Sequence, residues 1–376
     1  MIINFKKNIK WENVFLITLD KDREVIRKEK LSLTNNLSTI ELNEEKEKFF
    51  YFTNGEKESE IIIISNLIDG VELVYTEKTK RITCNYFIKD HEDYGTITTF
   101  KVKDRKNLSF KFNKSKIINI YTPSNYSYEK EYGLIIMFDS QNIFDVKKFG
   151  PYTTKEDPYG GWQVEATLEN CSKKYNDDYI VVGIEDADKY RMKELMQNEK
   201  SVPFKNEYIK ELEVKRSYAK NFSLDKFGNF IMDTVLPYIF KHYKIKKYNI
   251  GICGSSCGGN ASLYLGMKYS NIFRFIFTLT PAIGFYKDEE LTKFFESNLD
   301  KDLPQPEIYY FQGLHCDLEK LLAKSNKDLI SDLEKAGIDK ENIVYYEEPT
   351  ADHNENPWRY VFNYFMDLHA KKAKEY

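Results

Sequence analysis

No stretch of this 376-residue sequence stays apolar for the roughly 20 residues that a membrane-crossing helix requires. The first residues, Met1-Ile-Ile-Asn-Phe-Lys-Lys-Asn, hold a lysine pair but neither a continuing apolar segment nor a small-residue cleavage site. A soluble, cytoplasmic protein without membrane contact is therefore expected. Charge of one sign is missing too. Lysine and arginine number 56 against 59 aspartates and glutamates, net −3, with the signs interleaved, so no basic stripe is present to neutralise phosphates. Nucleic acid is excluded as an expected partner. Cysteine is scarce and odd in number, at Cys84, Cys171, Cys253, Cys257 and Cys316, which fits reduced thiols in a long chain. Cys253 and Cys257 are separated by three residues and have no second pair nearby, so they read as small residues flanking a tight turn. No metal and no cofactor is expected. Histidine is equally sparse, with five in all, and that scarcity narrows any search for a catalytic base.

What the chain has is a large apolar share, 41% of residues with 15% aromatic, enough for a sizeable core. Residues 1–92 read as short β-branched and aromatic strands separated by turn residues. They are Val14-Phe-Leu-Ile-Thr-Leu19, Phe49-Phe-Tyr-Phe52, Glu60-Ile-Ile-Ile-Ile64, Val71-Glu-Leu-Val-Tyr75 and Ile82-Thr-Cys-Asn-Tyr-Phe-Ile88, with Asn54-Gly55 as a hairpin signal. The spacing predicts an immunoglobulin-like β-sandwich, closed by a polar boundary over residues 89–95. Two roles are open to it: covering substrate or binding carbohydrate, which an exposed Trp11 would favour, and packing or homodimerisation.

From residue 93 the rhythm changes. Segments 97–102, 108–112 and 117–121 alternate as antiparallel strands do, whereas 133–138 and 179–184 are apolar on both faces, as strands buried under helices are. Helical periodicity runs over 162–174 and 225–243, a helix over about 325–336 ends at Gly337, and Asn356-Pro357 opens a last one. Residues 93–376 therefore form a doubly wound α/β domain. The segment 187–225 exceeds a direct connection and is expected to wall or cover the site.

Within that domain the apolar run 248–253 breaks into Gly254-Ser255-Ser256-Cys257-Gly258-Gly259 and resumes as helix-compatible sequence. A serine at such a strand-to-helix corner is the context of a nucleophile elbow. Its hydroxyl needs a base held by a carboxylate. His91 falls in the boundary, His242 near the end of a helix and His369 in the lysine-rich terminal helix. His353, in Ala351-Asp-His-Asn-Glu355, follows the last strand and is assigned as the base. The acid should follow the strand before it, where Gly313-Leu-His315-Cys316-Asp317-Leu-Glu319 offers Asp317, with Glu319 as the alternative and His315 as a substrate contact. For the oxyanion the expected donors are the backbone of Cys257 and the loop 139–142 after the first central strand, around Ser140 and Gln141.

These segments resemble the putative esterase family of α/β-hydrolases, which includes esterase D, feruloyl and acetyl xylan esterases and enterochelin-type siderophore esterases. The likeness rests on Tyr121-Thr-Pro-Ser-Asn-Tyr, Met137-Phe-Asp-Ser-Gln-Asn-Ile-Phe-Asp145, Gly161-Trp162-Gln-Val-Glu165, Val181-Val-Gly-Ile-Glu185, Arg191-Met-Lys-Glu194, Gly254-Ser-Ser-Cys-Gly-Gly259, Pro281-Ala282 and His353-Asn-Glu355 with Trp358. The family usually has Gly where this chain has Ser140 and Met where it has Cys257. Its acid commonly stands three residues past the glycine, at the place of Cys316, and a one-residue extension brings in Asp317. The resemblance implies an α/β-hydrolase domain acting through a Ser-His-Asp triad and an acyl-enzyme. It also puts Trp162, Glu165 and Arg191 near the cleft as substrate contacts. The implied partner is a small-molecule ester, either a feruloyl- or acetyl-type carbohydrate ester or a siderophore trilactone. The competing reading is a non-catalytic carbohydrate- or partner-binding protein on a hydrolase scaffold.

Overall fold

The computed structural model describes residues 1–7, 10–59, 61–64, 71–76, 81–85, 95–102, 116–144, 161–205, 207 and 221–373. The strand expected at 108–112, most of the boundary at 89–95 and the middle of the 187–225 segment lie outside them. The chain divides into two compact units, Met1–Asp90 and His91–Tyr376.

The first unit is all β. Strands β1 (Ile2–Lys7), β2 (Phe15–Leu19), β3 (Val25–Lys30), β4 (Leu37–Glu41), β5 (Phe49–Thr53), β6 (Ile62–Ile63), β7 (Val71–Thr76) and β8 (Arg81–Asn85) form two four-stranded sheets, ordered β4-β1-β7-β8 and β3-β2-β5-β6. Period-two alternation sends Ile3 and Phe5 inward from β1 and Phe50 and Phe52 inward from β5. The Phe5 and Phe52 rings meet at 4.1 Å, joining the sheets through one core. Trp11 is part of that core, 4% exposed with its ring 4.9 Å from Tyr75. The exposed Trp11 that would have favoured carbohydrate binding is thus corrected, because burying its large apolar ring stabilises the unit.

The second unit is built on an eight-stranded sheet. Its strands are β9 (Thr96–Val102), β10 (Lys116–Thr122), β11 (Tyr132–Phe138), β12 (Tyr179–Ile184), β13 (Ile245–Ser255), β14 (Phe275–Leu279), β15 (Glu307–Gly313) and β16 (Ile343–Glu348). The order is β16-β15-β14-β13-β11-β12-β10-β9. All neighbours from β16 to β12 pair in parallel, and β10 runs antiparallel to both of its partners.

Among the described residues the α-helices are α1 (Val164–Tyr175), α2 (Arg191–Leu195), α3 (Leu224–Phe230), α4 (Leu236–His242), α5 (Cys257–Lys268), α6 (Asp288–Asn298), α7 (Asp317–Ser325), α8 (Leu329–Lys335) and α9 (Glu355–Lys372). They cover both faces. In β14, Ile276 joins the core under α3 and α5, while the ring of Phe277 turns the other way, 6.0 Å from Phe362 and 5.7 Å from Phe365 of α9. Apolar residues on both sides of a strand are what such double coverage demands. The helix expected over 225–243 is interrupted by a π turn at Ile231–Val235. The one expected over 325–336 begins at Leu329, after the separate α7.

The layout that matters lies at the centre of the sheet. From β11 the chain goes first to β12 on one side and later to β13 on the other, so the connections leave the two strands toward opposite faces. In open α/β sheets, ligands bind in the crevice beyond the carboxyl ends of strands at such a switch point. The loop after β11 and the turn after β13 border this crevice.

Candidate active site

Ser256 stands between β13 and α5 with φ 57° and ψ −121°. A non-glycine residue held at positive φ stores about 1–3 kcal/mol and persists only where its surroundings impose it. Here the Ser256 N–H donates to the Leu279 carbonyl at 2.9 Å, and the Ser256 carbonyl accepts from Asn260 and Ala282 at 2.9 and 3.1 Å. The turn closes only because glycines flank it. A β-carbon on Gly254 would sit 2.5 Å from the Gly258 backbone, and one on Gly258 would sit 2.8 Å from Asp139 Oδ2.

The histidine expected as base and the carboxylate it pairs with come from the ends of β16 and β15. His353 follows β16, and its Nδ1 lies 2.8 Å from Oε1 of Glu319 in α7. Glu319 is fully buried. Its Oε2 accepts from Gln312 Nε2 at 3.1 Å, and Gln312 also donates to the Gly313 carbonyl and accepts from Tyr310 and Asn326. Burial pushes the Glu319 carboxyl above its ordinary range; His353 and the Thr280 hydroxyl pull it back, and Asp352 adds to the rise. A β-carbon on Gly313 would meet the Glu319 carboxyl carbon at 2.9 Å, so the glycine that marks this loop makes room for that carboxylate. Asp317 occupies the exposed first position of α7, where a carboxylate complements the helix dipole. Of the two carboxylates expected as partners of His353, Asp317 first and Glu319 as the alternative, the one within hydrogen-bond distance is Glu319. About half a helical turn separates the two carboxylates, since α7 begins at Asp317 and turns its third residue inward.

His315 lies on the acid's loop but pairs with Asp352 beside the base, Nδ1 to Oδ1 at 2.6 Å. Two histidine–carboxylate pairs therefore cross between the same two loops in opposite senses. His353 is further fixed by the Trp358 ring, edge-on at 5.0 Å.

The loop after β11 supplies the other side. Asp139 has φ 58°, and its carboxylate receives Arg191 in a two-pronged ion pair, Nε to Oδ1 at 2.6 Å and Nη2 to Oδ2 at 2.7 Å. The Ser140 N–H is already spent on the Ile184 carbonyl at 3.2 Å, which removes it as an oxyanion donor and corrects that expectation. The Ser140 hydroxyl accepts from Asn119. Among the described residues no hydrogen bond takes the Gln141 N–H, and the Gln141 side chain accepts from the Asp186 N–H at 3.1 Å. The Cys257 N–H, first in α5, has no partner within its helix and points where the helix dipole favours negative charge. Asn142 donates to Glu355 at the start of α9 at 2.8 Å, tying this loop to the one bearing the base.

Trp162, Glu165 and Arg191 were expected at the substrate. Trp162 is 2% exposed and packs 5.9 Å from Trp358 and 6.3 Å from Phe362, and Glu165 is fully enclosed, so both are packed in the interior. Arg191 is committed to Asp139. Gln312, Thr280 and Asp352 were not singled out from the sequence. A glutamine directly after the apolar run 308–311 was the available signal for the first, since a buried amide needs partners. No group of three or more His, Cys, Asp or Glu is placed to hold a metal ion among the described residues. Among them, too, no helix is long and apolar enough to cross a membrane.

Comparison with known proteins identifies the family and the fold. The family model described as Putative esterase matches residues 109–365. Among solved structures, the chain resembles a CE1 ferulic acid esterase from Anaeromyces mucronatus, at 17% identity and TM-score 0.51 over 74% of this chain and 92% of the other. It also resembles an IroE-like serine hydrolase from Shewanella oneidensis, at 15% identity and TM-score 0.52 over 73% and 79% of the two chains. A siderophore hydrolase from Aspergillus nidulans aligns at 12% identity and TM-score 0.52 over 76% and 98%. No curated protein matches. At such identities the structural likenesses establish the fold, and the family match carries the assignment: the chain belongs to the putative esterase family and is a carboxylic ester hydrolase.

Proposed function

We propose that the protein hydrolyses esters through an acyl-enzyme on Ser256, with His353 as base and Glu319 as the acid that orients it. The observation that carries this reading is the backbone of Ser256, held at positive φ at the strand–helix corner beside the switch point. In the proposed cycle His353 Nε2 takes the Ser256 proton as Oγ attacks the ester carbonyl. The oxyanion is received by the N–H groups of Cys257 and Gln141, and His353 then protonates the departing alcohol. Water repeats the sequence on the acyl-enzyme. Glu319 accepts the His353 Nδ1–H throughout, which keeps Nε2 free to act as the base.

For the substrate, two classes are carried forward, in keeping with neighbours described as a ferulic acid esterase and a siderophore hydrolase. A panel of feruloyl, acetyl-sugar, short-acyl and catecholate trilactone esters separates them. The catalytic reading itself is tested with a fluorophosphonate probe and a p-nitrophenyl ester. Stoichiometric labelling at Ser256 and loss of turnover in Ser256→Ala and His353→Ala are expected. Turnover unchanged in either variant would sink it, and absence of labelling would favour the non-catalytic binder.

A further inference from the structure

The Asp139–Arg191 pair has no part in proton transfer, yet it lies at the one place where the two oxyanion donors must be held in register. Asp139 is the first residue after β11, two positions before Gln141. Its carboxylate lies against the first turn of α5, close enough that a β-carbon on Gly258 would be 2.8 Å from Oδ2. Arg191 arrives from a third element, α2. Beyond its two bonds to Asp139, its Nη2 reaches the Ser255 carbonyl at 3.4 Å, and its guanidinium lies beside the Cys257 thiol. One planar cation thus touches the loop carrying the Gln141 N–H, the end of the elbow strand and the residue that offers the Cys257 N–H. It also stands against a buried negative charge. Asp139 is 6% exposed, and a bare carboxylate at this position would oppose a second negative charge forming at the same helix end.

We propose that Arg191 is a positioning residue for the oxyanion hole, fixing the Asp139 loop against the elbow helix and cancelling the Asp139 charge. Arg191 was expected to contact substrate, and this role replaces that one. It rests on the catalytic reading above. Lysine is a poor substitute, because a point charge cannot make the two-pronged bond and reach Ser255 together.

The test compares the parent with Arg191→Gln, Arg191→Lys, Asp139→Asn and the double variant Arg191→Gln/Asp139→Asn. Active sites are counted by fluorophosphonate titration, so that misfolded protein does not enter the rates. Two readouts follow for each: kcat/KM on a neutral p-nitrophenyl ester, and Ki for a trifluoromethyl ketone, whose adduct with serine places negative charge in the oxyanion hole. Per titrated site, Arg191→Gln should lose about 100-fold in kcat/KM, most of it in kcat, with Ki rising by a similar factor. Arg191→Lys should fall between it and the parent. The double variant should regain about tenfold over Arg191→Gln, because the unpaired carboxylate is gone. Turnover per site equal to the parent in all four variants overturns the proposal. So does a loss confined to KM with Ki unmoved, which would mark Arg191 as a substrate contact, and so does a double variant no better than Arg191→Gln. A parent that the probe does not label at Ser256 refutes the catalytic reading instead, before any variant is compared.

Discussion

Replacing Glu319 by glutamine removes one charge and no volume, and the surrounding hydrogen bonds determine which way the new amide must face. Gln312 Nε2 donates to Oε2, and Gln312 cannot turn round without losing its bonds to Tyr310, Asn326 and the Gly313 carbonyl. The oxygen of the new amide therefore stays toward Gln312, and its NH₂ faces His353 Nδ1. Nδ1 must then become the acceptor, which moves the ring proton to Nε2, the atom required as base. The wrong tautomer of a catalytic histidine lowers kcat by about 10⁴-fold, or about 5.5 kcal/mol at 25 °C. Asp317→Asn touches an exposed carboxylate at the start of α7 and should change turnover by less than about twofold, with a stability loss of about 0.3–1 kcal/mol from the helix dipole. Steady-state hydrolysis of a p-nitrophenyl ester, normalised by active-site titration, measures both. Glu319→Gln within about tenfold of the parent, with Asp317→Asn down by about 100-fold or more, would refute the argument from Gln312 and return the acid to Asp317.

Two further outcomes follow from charged groups around the site. Because burial raises the Glu319 carboxyl and Asp352 adds to the rise, the acidic limb of kcat/KM should move to lower pH in Asp352→Asn, and a limb that stays put or moves up contradicts the like-charge coupling. Lys116 and Glu194 form a buried ion pair, with Glu194 pushed up to about 7 by burial against the pull of Lys116. Its folded pKa lies above its unfolded one, so the folded state binds the extra proton and loses stability as pH rises from the ordinary carboxylate range through about 7. In urea unfolding, Lys116→Met and Glu194→Gln should each cost about 3–5 kcal/mol, while Lys116→Met/Glu194→Leu should match or exceed the parent at pH 7.5. The parent's stability relative to that double variant should decline over the same pH interval, and a difference independent of pH would show that Glu194 is not held proton-rich.

The elbow was legible because its chemistry is local. Gly254, Ser256 and Gly258 meet within five residues, and the strand before and helix after them are written in the same stretch. The place of His353 after the last strand was legible, since few histidines exist, and the structure pairs it with a carboxylate. Which carboxylate pairs with it was not, because choosing between Asp317 and Glu319 needs the rotation of α7 about its axis, which is set by where the helix starts. Spacing counted from Gly313 points to the nearer carboxylate, whereas the helix turns the farther one inward. The polar strand β3 carried no apolar alternation to announce it: its residues Val-Ile-Arg-Lys-Glu-Lys are mostly exposed, and pairing with β2 defines it. Trp162, Glu165 and Arg191 were drawn toward substrate by likeness alone, and burial and the Asp139 ion pair reassign them.

Once the partners are known, the site is better described by its cross-links than by its residues. Glu319 and His315 belong to the loop and helix after β15, His353 and Asp352 to the loop after β16, and each side contributes one histidine and one carboxylate to the other. Neither loop can shift along the sheet edge without lengthening both pairs, so Glu319 and His353 are held to each other twice over. Asn142 bonded to Glu355 extends these cross-links to the oxyanion loop, across 213 residues of sequence. On the opposite side Arg191 joins that loop to the elbow. In the proposed mechanism nucleophile, base, acid and oxyanion donors therefore come from four strand ends, and side-chain pairs hold the connections between them. Preorganised donors act because they do not have to be reoriented as charge develops. The cross-links, more than the loops' own conformations, are what meet that requirement here.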